Sequence, residues 1–314
     1  MPLLYTDPLF LEHKTGHHPE CPERLSRVLA SIDESELNKR FTRPQFEAAT
    51  GEQIARVHNS NYVQLVSKFA EKGGGRIEAD TVVSPRSYDA TRLACGAGVA
   101  AVDAVLSGDE IRAACLVRPP GHHALRHQAM GFCLFNNIAV AAGHAVEHHK
   151  LSRVLIVDWD VHHGNGTQAT FYRSENVYFL SIHRHPFYPG TGTEDETGEG
   201  PGLGTTMNLP IEFGTSRDDY FSRFQIMIKD IAAQCRPELV LLSAGFDAHR
   251  LDPVGSLGLE THDYIMLTQQ VADIANEYAD RRLISFLEGG YNLEILPDCV
   301  RVHLETLAGD AEGI

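Results

Sequence analysis

The sequence predicts a single-domain α/β fold, with one central parallel β-sheet flanked by helices and its working site at the carboxyl ends of the strands. Three observations carry that expectation. Short, unbroken, β-branched apolar runs recur along the chain, amphipathic helical patterns separate them, and polar clusters follow directly on several runs. Strands covered on both faces read as continuous apolar stretches. Alternation with helices implies parallel pairing, and open sheets of this kind place their sites beyond the strand ends.

Taken in order, Gly73, Gly74 and Gly75 mark a flexible turn. A helical pattern over 88–106 precedes the first apolar run, 114–117, which leads into Arg118-Pro-Pro-Gly-His-His123. A second helical pattern covers 135–149. The run 154–157 enters Asp158-Trp-Asp-Val-His-His-Gly-Asn-Gly166 and a short helix over 166–171. A strand over 177–182 follows, then a loop over 190–206 rich in glycine and acidic residues. A helix over 218–235 leads to the run 239–243 and Ala244-Gly-Phe-Asp-Ala-His249; a helix over 261–279 leads to 283–287 and Glu288-Gly-Gly-Tyr-Asn292. With no Pro/Ser-rich linker and no internal repeat, one catalytic domain over residues 1–314 is expected.

Hydrophobic residues make up 43% and charged residues 22% of the 314-residue chain, enough for a sizeable core. The net charge of −15 opposes broad attraction to a phosphate backbone, so no nucleic-acid partner is expected. Six scattered cysteines form no CxxC pair and read as reduced, mostly buried side chains. The first residues lack a basic segment leading into an apolar run, and no stretch is expected to span a bilayer. A cytoplasmic protein without a membrane partner is the expectation; a homo-oligomer is compatible with the sequence.

The chemistry concentrates in the polar clusters. In an extended segment, Asp158, Asp160 and His162 share a face. Two carboxylates that close repel unless a cation lies beside them, and imidazole with carboxylate suits zinc or iron. Asp247, after an independent strand, completes a three-ligand site with room for water; the plain alternative is that these residues cap turns and helices. The Pro-Pro-Gly loop presents His122 and His123 on rigid backbone. Adjacent histidines point apart, which suits two separate hydrogen bonds at a reacting centre better than chelation. His17–His18 and His148–His149 read as ordinary surface pairs. Tyr291, after two glycines, places a phenol donor where an oxyanion develops opposite a metal.

Arg118-Pro-Pro-Gly-His-His123, Gly131-Phe-Cys133, Val157-Asp-Trp-Asp-Val-His-His-Gly-Asn-Gly-Thr167, Gly245-Phe-Asp-Ala248 and Glu288-Gly-Gly-Tyr-Asn292 together resemble the histone deacetylase family. The wording is closest to its class II branch and to related bacterial amidohydrolases, and the resemblance runs from about His17 to about Leu307. Five motifs in order are far more specific than any one of them. The resemblance implies an arginase-like fold and one zinc, sometimes iron, held by Asp160, His162 and Asp247. It moves Asp158 out of the ligand set and assigns it to orienting His122. His123 would be the principal general base and acid, His122 its electrostatic partner and Asn165 its support, where the class I branch has aspartate. Tyr291 would donate to the acyl oxygen during amide hydrolysis.

The resemblance also implies structural potassium, or sodium, at two places. One lies at Asp158, Asp160, His162, Ser181 and Ile182, the other at Phe171, Ser174 and Val177. Phe132 and Tyr188 match the aromatic walls of an acyl-lysine tunnel, the second usually being phenylalanine. Gly131 would accept from the substrate amide, and Asp80 would bind substrate backbone at the rim. Val254 matches a gatekeeper that is acidic in polyamine-selective relatives, which favours acetyl-lysine in protein or peptide over small acetylated amines. Ureohydrolases of the arginase type need a second metal site, and here Asp247-Ala-His249 is followed by Arg250. A non-catalytic acyl-lysine reader would be expected to lack a ligand, a histidine or Tyr291.

Overall fold

The computed structural model describes residues 1–108 and 110–309; of the domain expected over 1–314, residues 109 and 310–314 lie outside the described residues. In chain order the elements are β1 (Leu3–Tyr5), α1 (Pro22–Asp33), α2 (Gly51–Ala55), α3 (Ser60–Glu71), β2 (Gly75–Arg76), β3 (Val82–Val83) and α4 (Ser87–Ser107). They continue with β4 (Arg112–Cys115), α5 (Asn137–Glu147), β5 (Val154–Asp158), α6 (Asn165–Phe171), β6 (Val177–Arg184) and β7 (Thr206–Ile211). The last are α7 (Arg217–Cys235), β8 (Leu239–Ala244), α8 (Asp263–Tyr278), β9 (Leu283–Leu287) and α9 (Leu296–Leu307).

Seven strands make one sheet in the order β1-β4-β9-β8-β5-β6-β7, and every pairing in it is parallel. Every residue of β4, β5, β8 and β9 is buried, which explains why their sequences are mostly apolar rather than alternating. Register sets the site: Asp158 at the end of β5 stands level with Ser243 of β8 and Ser181 of β6. Because β4, β9, β8 and β5 are consecutive in the sheet, the loops that follow them emerge side by side.

Two strands of this sheet fall outside the predicted five. β1 is only three residues long, too short for a periodic signal; it pairs with β4 on one side and makes a single bridge to Thr42 on the other. β7 closes the opposite edge directly after the glycine-rich loop; it carries Pro210, which an edge strand tolerates because one side of its backbone is unpaired. β4 begins two residues earlier than predicted, although Leu116 still donates from its backbone N to Tyr5 O at 2.9 Å. α5 is shorter than the predicted 135–149, because the Asn136 side chain caps it by accepting from Ala139 N.

The expectation that no stretch is long enough for a bilayer needs correction. α4 has 21 residues and is long and apolar enough, by length and composition alone, to cross a membrane. Its apolar surface goes instead into the protein core through residues such as Ala94, Ala97, Ala101 and Val102. Gly98 is needed there, since a Cβ would press into the Phe286 ring. All six cysteines are free thiols, five of them buried.

Candidate active site and metal centre

β5 ends at Asp158, and the residues after it leave the extended conformation, contrary to the expectation of alternate residues along a strand. The turn is held by its own side chains. Asp158 Oδ1 accepts from Asp160 N at 3.0 Å, and Asp160 Oδ1 accepts from His162 N at 2.9 Å. Asp158 Oδ2 lies 2.9 Å from His122 Nδ1. Asp158 is thereby committed to the turn and to His122, and stands apart from the cluster that converges on a common point.

That cluster is Asp160, His162 and Asp247, all buried, with ligand atoms within 4.8 Å of one another. His162 Nδ1 lies 3.0 Å from Asp160 Oδ1 and 3.1 Å from Asp247 Oδ2. The remaining carboxylate oxygens take backbone donors: Gly289 N to Asp160 Oδ2 at 2.8 Å, and Val161 N to Asp247 Oδ1 at 3.0 Å. Asp247 Oδ2 is buried and takes no formed hydrogen bond, because the nearby His162 Nδ1 is directed at Asp160 Oδ1 instead. An unpartnered buried carboxylate oxygen is costly unless a cation satisfies it. Burial, and then the charge of Asp160, push the Asp247 carboxyl up to about 7. His162 is lifted to about 10, the Asp160 and Asp247 carboxylates overriding burial. Protons here do the work of a positive ion, so the donor set fits a divalent metal of the zinc or iron type.

Gly245 and Gly289 make the cluster possible. A Cβ on Gly289 would overlap Asp247 Oδ2 and Asp160 Oδ2, and one on Gly245 would overlap Asp160 Oδ2. His249, two residues beyond Asp247, turns towards Glu260 at 3.9 Å. It supplies no ligand to a second ion beside the first, as the ureohydrolase alternative would need.

The two adjacent histidines differ in their partners. His122 faces Asp158, with Asp160 at 3.8 Å; these carboxylates override burial and raise it to about 10. His123 Nδ1 lies 2.7 Å from Asn165 Oδ1. Burial, then the neighbouring His122 and His162, hold His123 well below its ordinary value. It is a neutral imidazole whose Nδ1 proton is given to an amide, leaving Nε2 as a base. Their rings lie 4.0 Å apart, and His123 stands edge-on to His162 at 5.8 Å.

Glu288 and Asp252 had no assigned role in the sequence, yet both hold the site. Glu288 Oε2 accepts from Gly121 N at 2.7 Å and His122 N at 3.2 Å, and Oε1 accepts from Ser243 Oγ. Burial pushes its carboxyl up to about 7. Asp252 accepts from Val254 N with one oxygen and from Tyr291 N with the other, at 2.9 and 2.7 Å. Its signal was the Asp-Pro step after Leu251, readable as a turn but silent about Tyr291. Beneath them Glu20 binds Arg118 through both oxygens, at 2.5 and 2.8 Å, and Arg24 at 3.1 Å. Arg24 also donates to Gly290 O and Glu288 O. The loops bearing His122 and Tyr291 therefore rest on one ion network.

Around the centre, Phe132 meets Tyr291 edge-on at 5.6 Å and His18 at 4.6 Å. Tyr188, 38% exposed, stands edge-on to His123 at 5.3 Å. Burial and the nearby Asp80 raise the Tyr188 phenol. Asp80 Oδ1 accepts from Thr81 Oγ1, whose oxygen in turn accepts from Phe132 N, linking Asp80 to Phe132. Gly131 packs its backbone on the His123 ring, with no room for a Cβ, and its carbonyl accepts from Cys133 Sγ at 3.3 Å. Val254 is half-buried and joined to Tyr291 through Asp252. His18, expected to be an ordinary surface residue, donates from Nε2 to the Asp80 backbone carbonyl at 3.0 Å.

Of the expected monovalent-ion residues, Asp158 and Ser181 are register partners beside Ile182, and Ser181 Oγ lies 2.9 Å from His183 Nδ1. Phe171 O accepts from Ser174 N at 2.8 Å just before Val177 opens β6.

Comparisons with known proteins agree with this architecture. The family model described as "Histone deacetylase domain" matches residues 18–307. A histone deacetylase-like amidohydrolase of Pseudomonas aeruginosa is 39% identical over 293 residues, covering 93% of this chain and 77% of its own. Polyamine deacetylase HDAC10 of Homo sapiens is 39% identical over 98% of this chain and 48% of its own. The crystal structure of the HDA15 HD domain superposes with a TM-score of 0.91 at 35% identity, covering 99% of this chain and 89% of that one. With nearly the whole chain matched in both sequence and fold, this protein belongs to the histone deacetylase family.

Proposed function

We propose that the protein is a metal-dependent deacetylase that hydrolyses the acetyl-amide bond of N-acetyl-lysine side chains. Family membership supports a hydrolase of amides. The observation that carries the finer reading is the orphaned Asp247 Oδ2 inside the Asp160–His162–Asp247 cluster, with the neutral His123 beside it. When bound by Asp160, His162 and Asp247, zinc or ferrous iron supplies Lewis acidity to the acyl carbonyl and to the attacking water.

His123 removes a proton from water through Nε2 as the oxygen adds to the acyl carbon. Asn165 holds the opposite edge of that ring so that Nε2 faces the reaction. The carbonyl oxygen gains charge as the new bond forms, and the Tyr291 hydroxyl donates to it. His122, cationic beside Asp158, adds positive potential behind the reacting centre. The C–N bond then breaks, His123 delivers its proton to the departing amine, and acetate leaves separately. Phe132 and Tyr188 exclude water along the aliphatic part of the substrate, and Asp80 receives backbone donors at the rim. Potassium or sodium beside Asp158 and Ser181, and near Phe171, Ser174 and Val177, belongs to the same proposal.

A small acetylated amine is the second reading, favoured by the similarity to a polyamine deacetylase. Acetate release from an acetyl-lysine peptide, free acetyl-lysine and N-acetylputrescine, each with and without a hydroxamate chelator, separates the two. Hydroxamate-sensitive release from the peptide supports the first reading. Release from N-acetylputrescine alone overturns it in favour of the second.

A further inference from the structure

A second group of metal-suited side chains lies far from the catalytic loops. His144 and His148 are four residues apart at the end of α5, so they share a helix face. His149 follows immediately, and Asp103 approaches from α4. Potential ligand atoms of these four residues lie within 4.8 Å of one another. His144 Nε2 is 2.7 Å and His149 Nε2 2.6 Å from the same oxygen, Asp103 Oδ1. The His144 and His148 rings stack at 4.8 Å with 10° between their planes, and His149 meets both edge-on, at 5.3 and 4.9 Å.

We propose that His144, His148, His149 and Asp103 form a second, surface site for a late first-row divalent transition metal such as copper, nickel or zinc. Three imidazoles and one carboxylate are a donor set these ions prefer, whereas magnesium and calcium seek oxygen alone. His144 is buried and forms the fixed side of the site. The Asp103 side chain is 51% exposed and that of His149 25%, so these donors can close on an entering ion. Two N–H groups pointing at one carboxylate oxygen are what an ion would replace.

Coordination through His144 Nε2 moves its proton to Nδ1, which now faces Arg56 Nη1 at 2.9 Å. Arg56 can withdraw, because its Nε already pairs with Glu147 at 3.2 Å. An ion held here joins α4 to the end of α5. In a parallel sheet the helix from β4 to β5 runs back towards the amino ends of the strands, so this site lies at the edge opposite the catalytic loops. The sequence alone could not reveal it, since Asp103 is 41 residues from His144 and the His148–His149 pair reads as an ordinary surface feature.

The test uses protein whose catalytic centre carries one equivalent of zinc, titrated with Cu²⁺ while zinc retention is followed by elemental analysis. Wild type is expected to take up one more copper than H148A/H149A does. Its electron paramagnetic resonance spectrum should show coupling to more than one imidazole nitrogen. Asp103→Asn, which keeps all three histidines, should weaken that uptake. Deacetylase turnover of the zinc forms should be unchanged, showing that the variants are folded. Equal copper uptake by wild type and H148A/H149A, or a bound copper without multiple nitrogen couplings, would overturn the proposal.

Discussion

His123 Nδ1 lies 2.7 Å from the amide oxygen of Asn165, whereas the neighbouring His122 presents the same atom to the carboxylate of Asp158 at 2.9 Å. An amide orients an imidazole without adding negative charge, so His123 stays a weak, neutral base while His122 becomes a cation. Replacing Asn165 by aspartate places a negative charge beside His123 and raises its proton affinity. Since the proposed base acts in its neutral form, the acid limb of the kcat/KM–pH profile should move up by about one pH unit or more. A limb that does not move would remove His123 from the role of base.

Tyr291→Phe deletes the proposed donor to the oxyanion while preserving the ring packed against Phe132 and below the Arg24 guanidinium. Turnover on an acetyl-lysine peptide should fall by about 10²- to 10³-fold, with little change in KM or melting temperature. Steady-state kinetics with a thermal melt checks both.

Gly289→Ala pushes a methyl group between Asp247 and Asp160. The proposed ligands must separate, and zinc affinity should weaken by about 10- to 100-fold, the scale typical of disturbing groups that orient metal ligands. Competition with a fluorescent chelator gives that ratio without relying on activity.

Glu20 supplies a stability prediction away from the metal. Burial alone would raise its carboxyl, but the Arg118 charge and the hydrogen bond with His13 hold it well below the ordinary range. A depressed carboxyl stabilises the fold above its unfolded value, about 4.3, and loses that contribution as pH falls towards the folded value. Glu20→Gln should therefore destabilise by about 3–5 kcal/mol at neutral pH, because it strands two buried guanidinium groups. The difference from wild type should shrink below about pH 4; denaturant melts across pH measure it.

Val254→Glu tests substrate choice. An acidic side chain there should raise kcat/KM for N-acetylputrescine relative to an acetyl-lysine peptide by about tenfold, equivalent to ~1.4 kcal/mol. No change in that ratio would show that Val254 does not face the substrate's distal amine.

Much of the site was legible because it is local in sequence. Each of the Arg118–His123, Asp158–Asn165, Gly245–Asp247 and Glu288–Tyr291 segments comes at the end of a fully buried, mostly apolar strand. Parallel pairing of β4, β9, β8 and β5 then brings all four to one edge. The turn after Asp158 was misread as extended, since the bonds from backbone N–H groups to Asp158 and Asp160 side chains leave no mark on hydrophobic periodicity. Glu20, Asp252 and Glu288 were silent as supports because each also reaches a remote partner: Glu20 is 98 residues from Arg118, Asp252 39 from Tyr291 and Glu288 167 from Gly121. β1 was too short to show a pattern, and β7 was concealed by its position after a glycine-rich loop.

Chelation followed by metal return tests the proposed chemistry most directly. Purified protein should release acetate from an acetyl-lysine peptide, lose that activity when stripped of metal, and regain it with one equivalent of zinc or ferrous iron. Asp247→Asn should fail to regain it. Full turnover by metal-free protein, or equal recovery by Asp247→Asn, would contradict a reaction centred on Asp160, His162 and Asp247.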